Sequence, residues 1–141
     1  MENKLIEKYI QNNHFGALLG MKFNIITEGH VEYFLTITKN HLATPNSAHG
    51  GLINALVDGA LGVAGLSAVY KENKVVSTIE YKTNFLSPAL LNDRLKAIAK
   101  VEQKGKRILV ISCDVIAENR NVPIAKAMGT FNAYDASKAG Y

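Results

Sequence analysis

Asp58 is the residue of this sequence that points most clearly to chemistry. It is the only acidic residue between Glu32 and Glu72, and it lies in the middle of the most apolar stretch of the chain. Burying a carboxylate without a partner is energetically costly. Asp58 is therefore either paired with a group that is distant in the sequence or retained for function, and the pattern alone leaves both possibilities open.

A second candidate is the segment His49-Gly50-Gly51, which opens the predicted helix that carries Asp58. The first N–H groups of a helix have no partner within the helix and carry partial positive charge. Because Gly50 and Gly51 have no side chains, a ligand oxygen can reach these donors, which would then form an oxyanion hole. The alternative is an ordinary helix start that follows the turn residues 44–47.

The spacing of these two candidates predicts a site that is shared between two chains. Gly50 and Asp58 are eight positions apart, which is about 12 Å along a helix axis. A carboxylate that activates water must lie within about 3 Å of it, and the water about as near to the carbonyl under attack. If the chain is a hydrolase, we expect a second, antiparallel helix to place its own Asp58 beside Gly50.

Thr78 is the candidate third element, because its hydroxyl could orient the attacking water. It lies in a segment of alternating polarity, in which it shares a predicted face with Glu80 and Lys82. That face is equally typical of a solvated surface, so the sequence alone does not decide between the two roles.

The periodicity of apolar residues predicts an α+β fold around one buried helix. A short amphipathic helix is predicted over residues 3–12, and the helix over residues 50–69 has no polar stripe, as in a helix that is buried on all sides. The spacing of Gly59, Gly62 and Gly65 predicts a close approach of another backbone. Period-two alternation begins at Phe23 and predicts two strands before this helix, joined by a turn at residues 28–30, the second of them over residues 31–38. It predicts further antiparallel strands over residues 78–85, 93–102, 107–117 and 122–133, and the sheet must cover that helix.

Two motifs together resemble the hotdog-fold thioesterase superfamily, in the branch related to the phenylacetate-degradation thioesterase. The first motif is His-Gly-Gly, six mostly apolar residues and an acid, and it is found here from His49 to Asp58. The second is a strand of the form Thr-x-Glu/Asp that ends in an aromatic residue, two further residues and Pro-Ala, and it is found here from Thr78 to Ala89. The similarity spans roughly residues 15–134.

The resemblance implies a hotdog fold, in which an antiparallel curved sheet wraps around one long central helix, and an acyl-CoA hydrolase. Asp58 would be the general base or nucleophile, the Gly50 N–H would polarise the thioester carbonyl, and Thr78 would help to place the water. The resemblance also implies a dimer or tetramer with sites at the dimer interface. We interpret His49 as shaping the loop rather than as a base. We predict substrate contacts at His49, Asn46, Gly51, Lys82, Lys104, Lys106 and Arg107.

Two positions depart from the pattern of many relatives. An asparagine six residues before the histidine and a glycine three residues before it are replaced here by Ala43 and Asn46. Asn46 tolerates the left-handed conformation that a glycine would adopt, whereas Ala43 cannot hydrogen-bond a thioester or hold the acid. Ala43 is the best argument for the main alternative, a non-catalytic hotdog module that binds acyl-CoA or a small ligand. A hotdog dehydratase is the third candidate, but residues 41–43 do not match its His-Phe-Pro loop.

The composition bounds the remaining alternatives. The 141 residues are 48% apolar and 20% charged, as in an ordinary soluble domain. The net charge of +4 is spread along the chain rather than concentrated in a stripe, so we expect no nucleic-acid partner. The histidines lie far apart and Cys113 is the single cysteine, so we expect no metal, no cofactor and no disulfide.

The sequence also predicts where the protein resides and how the chain is divided. Residues 1–13 lack the apolar run of a signal peptide, so we expect a cytoplasmic protein without membrane contact. The predicted units are an N-terminal helix over residues 1–14, a hotdog domain over residues 15–134 and a tail over residues 135–141.

Overall fold

The computed structural model of the chain describes residues 4–141 and confirms the α+β architecture. The first residue of the predicted N-terminal helix, Asn3, lies outside the described residues. In chain order the elements are α1 (Lys4–Asn12), α2 (His14–Leu19), β1 (Lys22–Thr27), β2 (His30–Thr36), α3 (Gly50–Val69), β3 (Lys74–Phe85), β4 (Arg94–Lys104), β5 (Ile108–Ala117) and β6 (Val122–Asp135). Single helical turns cover Lys39–His41, Tyr70–Glu72 and Ala136–Ala139.

The six strands form one antiparallel sheet in the order β1-β2-β4-β5-β6-β3. After β2 the chain passes through α3 and enters the sheet at its far edge as β3, and it then returns to place β4 beside β2. β3 is therefore an edge strand, and the backbone groups along its outer side have no strand partner among residues 4–141. The same strand follows directly after the helix that carries Asp58.

Helix α3 forms the centre of the core and packs against all six strands. It is long and apolar enough to cross a membrane by composition, but 67% of that window is buried inside the protein, as expected for a core helix. The prediction that its glycines admit another backbone was wrong. Side chains approach them instead: a Cβ atom at Gly59 would lie 3.3 Å from the Tyr33 ring, and one at Gly65 would lie 3.1 Å from Ile111.

A β-bulge in β3 changes which face carries Thr78. Thr78 pairs with Phe131 and Glu80 pairs with Thr130, so Ile79 is an extra residue without a partner on β6. The extra residue shifts the alternation, and Thr78 consequently faces α3 while Glu80 faces away. The predicted common face of Thr78, Glu80 and Lys82 was therefore wrong, because regular alternation cannot anticipate an inserted residue.

The two terminal segments pack against the core next to α3. Ile6 of α1 is buried in a small cluster with Leu66, Val75 and Ala136. Tyr9 of α1 lies against Phe23, which stacks on Tyr33 of β2 with ring centroids 5.3 Å apart. The division into units at residues 14 and 134 stays a prediction, although both terminal segments are in contact with the central unit.

Candidate active site

Asp58 and Thr78 meet at the seam between α3 and β3. The Thr78 hydroxyl donates to Asp58 Oδ1 at 2.7 Å. Asp58 is half-buried, and no ion pair to it occurs within residues 4–141. Asp58 is therefore paired with the hydroxyl of a residue that is distant in the sequence. No cation pairs with it in the described part of the chain. The carboxylate retains its second oxygen, and the threonine oxygen can still accept a hydrogen bond from water.

Asp58 and Thr78 both line a cavity of about 370 Å³ that lies between α3, β3 and the two terminal segments. Several aromatic side chains line this cavity. They are Tyr9, Phe15, Tyr33, Phe131, Tyr134 and Tyr141. Gly59 and Gly62 leave room for this space on the surface of α3. A cavity lined by aromatic side chains together with polar groups is typical of a small-molecule site.

The start of α3 presents one free backbone donor. His49 is the N-cap residue, and its Nδ1 accepts a hydrogen bond from the Gly51 N–H at 2.7 Å. A Cβ atom at Gly51 would lie 2.8 Å from that nitrogen, so glycine is needed for this cap. Gly50 is exposed, and its N–H has no partner among residues 4–141. Of the two glycines whose N–H groups were considered as oxyanion donors, Gly50 is therefore the one whose N–H has no partner in the described part of the chain. His49 caps the helix, and its contact with substrate stays a prediction.

The loop before α3 is held by backbone hydrogen bonds to the segment that follows β3. The Ala48 N–H donates to the Ala89 carbonyl at 2.8 Å, and the Leu91 N–H donates to the Asn46 carbonyl at 3.0 Å. Asn46 does not adopt a positive φ angle, so the left-handed conformation considered for it does not occur. Ala43 is exposed and offers only backbone groups.

Asp93 stabilises the segment to which this loop is tied. Its carboxylate is 2% exposed and accepts hydrogen bonds from the Leu90 N–H at 2.8 Å, from Asn119 at 3.0 Å and from Arg120 at 2.6 Å. These donors, the Arg120 guanidinium above all, lower the pKa of Asp93 to about 2, although burial opposes the shift. Arg120 also donates to the Pro88 carbonyl, and this hydrogen bond helps to hold the segment after β3 in place.

The basic residues predicted to meet substrate do not lie together near Asp58. Lys104 donates to the Ala68 carbonyl at the end of α3 and forms an ion pair with Glu72 at 2.6 Å. Ala68 is ten positions from Asp58, or about 15 Å along the helix. Lys106 and Arg107 are exposed in the adjoining β4–β5 turn. Lys82 lines a shallow depression on the outer face of the sheet, away from α3.

The line from Asp58 to Gly50 runs along one side of α3, and β3 follows this line, antiparallel to the helix. Thr78 contacts Asp58, the Tyr81 hydroxyl lies 3.4 Å from the Asn54 carbonyl, and the Phe85 ring is 3.7 Å from the position of a Cβ atom on Gly50. Because one continuous helix carries both residues, the structure does not bring Gly50 and Asp58 of one chain together.

Tyr81 is a residue of this seam that sequence analysis missed. Burial, and then the charge of Asp58, raises the pKa of its hydroxyl. Tyr9, Asn13 and Tyr33 were also missed, because no motif marks residues that meet across 20 or more positions. The only indication in the sequence of a role for these residues was the aromatic side chain of Tyr9 on the apolar face of the predicted N-terminal helix.

A model of the thioesterase superfamily matches residues 46–124, which include the loop, α3, β3 and most of the following hairpin. This is more than half of the chain. The chain belongs to the thioesterase superfamily. The six-stranded sheet wrapped around α3 is accordingly a hotdog fold.

Named relatives and solved structures resemble most of the length of the chain. The acyl-coenzyme A thioesterase PaaI of Escherichia coli is 29% identical over 78% of this chain and 76% of its own length. Its structure matches with a TM-score of 0.85 at 23% identity, covering 93% of this chain and 91% of that one. A thioesterase family protein of Silicibacter pomeroyi matches with a TM-score of 0.84 at 25% identity, covering 94% and 97%.

A thioesterase-like protein of Streptococcus pneumoniae was solved with coenzyme A. It matches with a TM-score of 0.78 at 21% identity, covering 89% of this chain and 97% of that one. At this identity the match shows the common fold.

Proposed function

We propose that this member of the thioesterase superfamily hydrolyses an acyl-CoA thioester to the free acid and CoA. The observation that carries the proposal is the hydrogen bond of 2.7 Å between Thr78 and Asp58 at the side of an aromatic cavity. It fixes a carboxylate and a hydroxyl where both can bind one water molecule. The names of the E. coli relative and of the CoA-bound S. pneumoniae structure support CoA as the carrier.

The reaction assigns a role to each of three groups. Asp58 accepts a proton from water as the water oxygen bonds to the thioester carbon. Alternatively, Asp58 attacks that carbon itself and forms an anhydride, which water then hydrolyses to the free acid and the regenerated carboxylate. The Gly50 N–H donates to the carbonyl oxygen as it gains negative charge. The C–S bond then breaks and CoA leaves as a thiolate, which is a good leaving group because an ordinary thiol has a pKa of about 8.5.

The site is proposed to form between two chains of a symmetric dimer. Gly50 and Asp58 of one helix are about 12 Å apart, so one chain cannot apply both to one carbonyl. β3 is an edge strand that exposes Ile79 and Phe85, each 54% exposed. Pairing of β3 with its copy would cover these side chains and bring two α3 helices side by side.

Hydrolysis is best tested by release of the CoA thiol from short, medium, long and aryl acyl-CoAs. The protein's own thiol does not interfere, since Cys113 is 2% exposed and burial raises its pKa to about 12. At least one class should be hydrolysed, and Asp58→Asn should reduce turnover by about 10²–10⁴-fold. The amide oxygen introduced by this substitution can still accept the Thr78 hydrogen bond, which makes the variant a matched control for structure.

The alternative of a binding module makes the opposite prediction. A binding module should bind acyl-CoA but release no thiol from any of the four classes. The exposed Ala43 would then account for the lack of turnover, because it lacks the amide that many relatives have at this position. Binding without turnover would contradict the hydrolase.

A further inference from the structure

The wall of the cavity beside Asp58 contains a hydrogen-bonded polar cluster, formed by Tyr9 of α1, Asn13 before α2 and Tyr33 of β2. Asn13 Nδ2 donates to the Tyr9 hydroxyl and to the Tyr33 hydroxyl, each at 3.3 Å. Asn13 Oδ1 accepts a hydrogen bond from the Gly16 N–H at 3.2 Å, which caps α2. The oxygen of the amide is thereby fixed toward the helix and both of its N–H groups are directed to the tyrosines.

The cluster has one more donor than it uses. Its four donor hydrogens are two on the Asn13 amide and one on each tyrosine hydroxyl. The amide hydrogens are used on the two hydroxyls, and neither hydroxyl donates to a group outside the cluster among residues 4–141. Because only one of the two hydroxyls can donate to the other, at least one O–H remains without an acceptor in this part of the chain. Burial raises the pKa of both tyrosines, so both stay neutral hydroxyls at physiological pH.

The cluster is close to the proposed reaction centre. The Tyr33 hydroxyl lies 3.5 Å from the position that a Cβ atom on Gly59 would occupy, and Gly59 follows Asp58 directly in α3. Tyr9 and Asn13 line the same cavity as Asp58. The rest of the lining combines apolar residues with Ser77, Tyr134 and Tyr141, whose side chains carry hydroxyl groups. An acyl group in this space would therefore meet the free O–H as one of several polar groups.

We propose that Tyr9, Asn13 and Tyr33 select acyl groups that carry an uncharged oxygen acceptor, such as an ether, hydroxyl or keto oxygen, over acyl groups that are purely hydrocarbon. The inference rests on the proposed function for the placement of the acyl group beside Asp58. It excludes acyl groups that end in a carboxylate, because a second anion would enter the cavity that already holds Asp58.

The test uses binding, so that its result does not depend on turnover. The probes are non-hydrolysable CoA ketones in which a methylene replaces the thioester sulfur, bearing a hexanoyl chain or the same chain with an ether oxygen at position 3, 4 or 5. Calorimetry on the wild-type protein should show at least one ether analogue binding about three- to tenfold more tightly than the hydrocarbon, as expected for one additional hydrogen bond. Asn13→Asp should reduce that ratio to within twofold, because one carboxylate oxygen still caps α2 while the other accepts from both tyrosine hydroxyls, which leaves no free O–H.

Tyr134→Phe is the control, because Tyr134 lines the same cavity outside the cluster; it should keep the wild-type ratio whatever its effect on absolute affinity. Equal affinity of the wild-type protein for all four analogues overturns the inference, and so does a preference that survives Asn13→Asp. Hydrolysis of hexanoyl-CoA is measured in parallel. A binding preference without any hydrolysis overturns the proposed function alone, whereas hydrolysis without a preference overturns the selection alone.

Discussion

A mixed dimer of two inactive variants tests whether each site draws on two chains. In one variant, Gly50→Pro removes the free N–H at the start of α3; in the other, Asp58→Asn removes the base. Proline is well suited to this position, because Gly50 is the first helical residue after the N-cap and proline is favoured there. His49 has φ −63° and ψ 136°, which is the extended conformation that a residue before proline prefers.

The expected recovery follows from the geometry. Loss of an oxyanion donor costs about 10²–10³-fold, and loss of the base about 10²–10⁴-fold, so each variant alone should retain about 1% activity or less. Random exchange at 1:1 makes about half of the dimers mixed. In each mixed dimer one site combines both intact residues and the other combines both replacements. About a quarter of all sites should thus be intact, and activity should rise to about 25% of wild type.

The assay follows CoA release before and after the two variants are mixed and allowed to exchange subunits. Gly50→Ala is the matched control: it keeps the N–H, and its Cβ would lie at an ordinary 3.7 Å from the Phe85 ring. Native mass spectrometry should confirm that mixed dimers form. If they form and activity stays at the level of the separate variants, each site uses one chain and the distance argument is refuted.

Three further predictions concern single substitutions. Thr78→Ala should lower kcat about tenfold or more with a smaller change in KM, because placement of water matters mainly in the transition state. Thr78→Ser keeps the hydroxyl and should retain most of the wild-type activity. A change in KM alone would make Thr78 a binding residue. Asp93→Asn should lower the free energy of unfolding by about 1–2 kcal/mol at pH 7 after allowance for solvent screening. Folding lowers the pKa of Asp93 from 3.8 to about 2, so this stabilisation is present above about pH 4 and lost as the pH falls through about 2; urea unfolding that shows a pH-independent difference would contradict it. Gly129→Ala should lower the free energy of unfolding by about 1–3 kcal/mol, since its Cβ would lie 2.7 Å from the Tyr81 Cβ atom. Gly62→Ala, whose nearest contact would be an ordinary 3.7 Å, should be neutral or stabilising by up to about 1 kcal/mol in the same measurement.

The sequence predicted the parts of the fold that depend on local periodicity. The 20 residues of α3 were predicted with their bounds, because this segment is apolar on all sides of the helix and is flanked in the sequence by segments of period two. The strands were also located, since one face of each packs on that helix. Asp58 was identifiable for the same reason: a carboxylate is conspicuous where all its neighbours are apolar.

The parts that the sequence did not predict depend on contacts between distant positions. Asn13 meets Tyr33 across 20 positions, and Arg120 meets Asp93 across 27. No local pattern encodes such pairs, so neither the polar cluster nor the support of the loop was foreseen. The cytoplasmic location and the substrate contacts of Lys82, Lys106 and Arg107 stay predictions.

The unpaired Ile79 is a spare residue that can take the place of a lost one. If Ser77 were deleted, Thr78 could pair with Asn132 and Ile79 with Phe131, so that β3 would keep every pair with β6 and its edge position. Thr78 would then turn to the opposite side of the sheet and leave Asp58. Loss of this one codon would thus cost little stability and most of the turnover. Among duplicated copies of such a gene, it offers a direct route from an enzyme to a folded binding protein, without any change to the acid or to the helix that carries it.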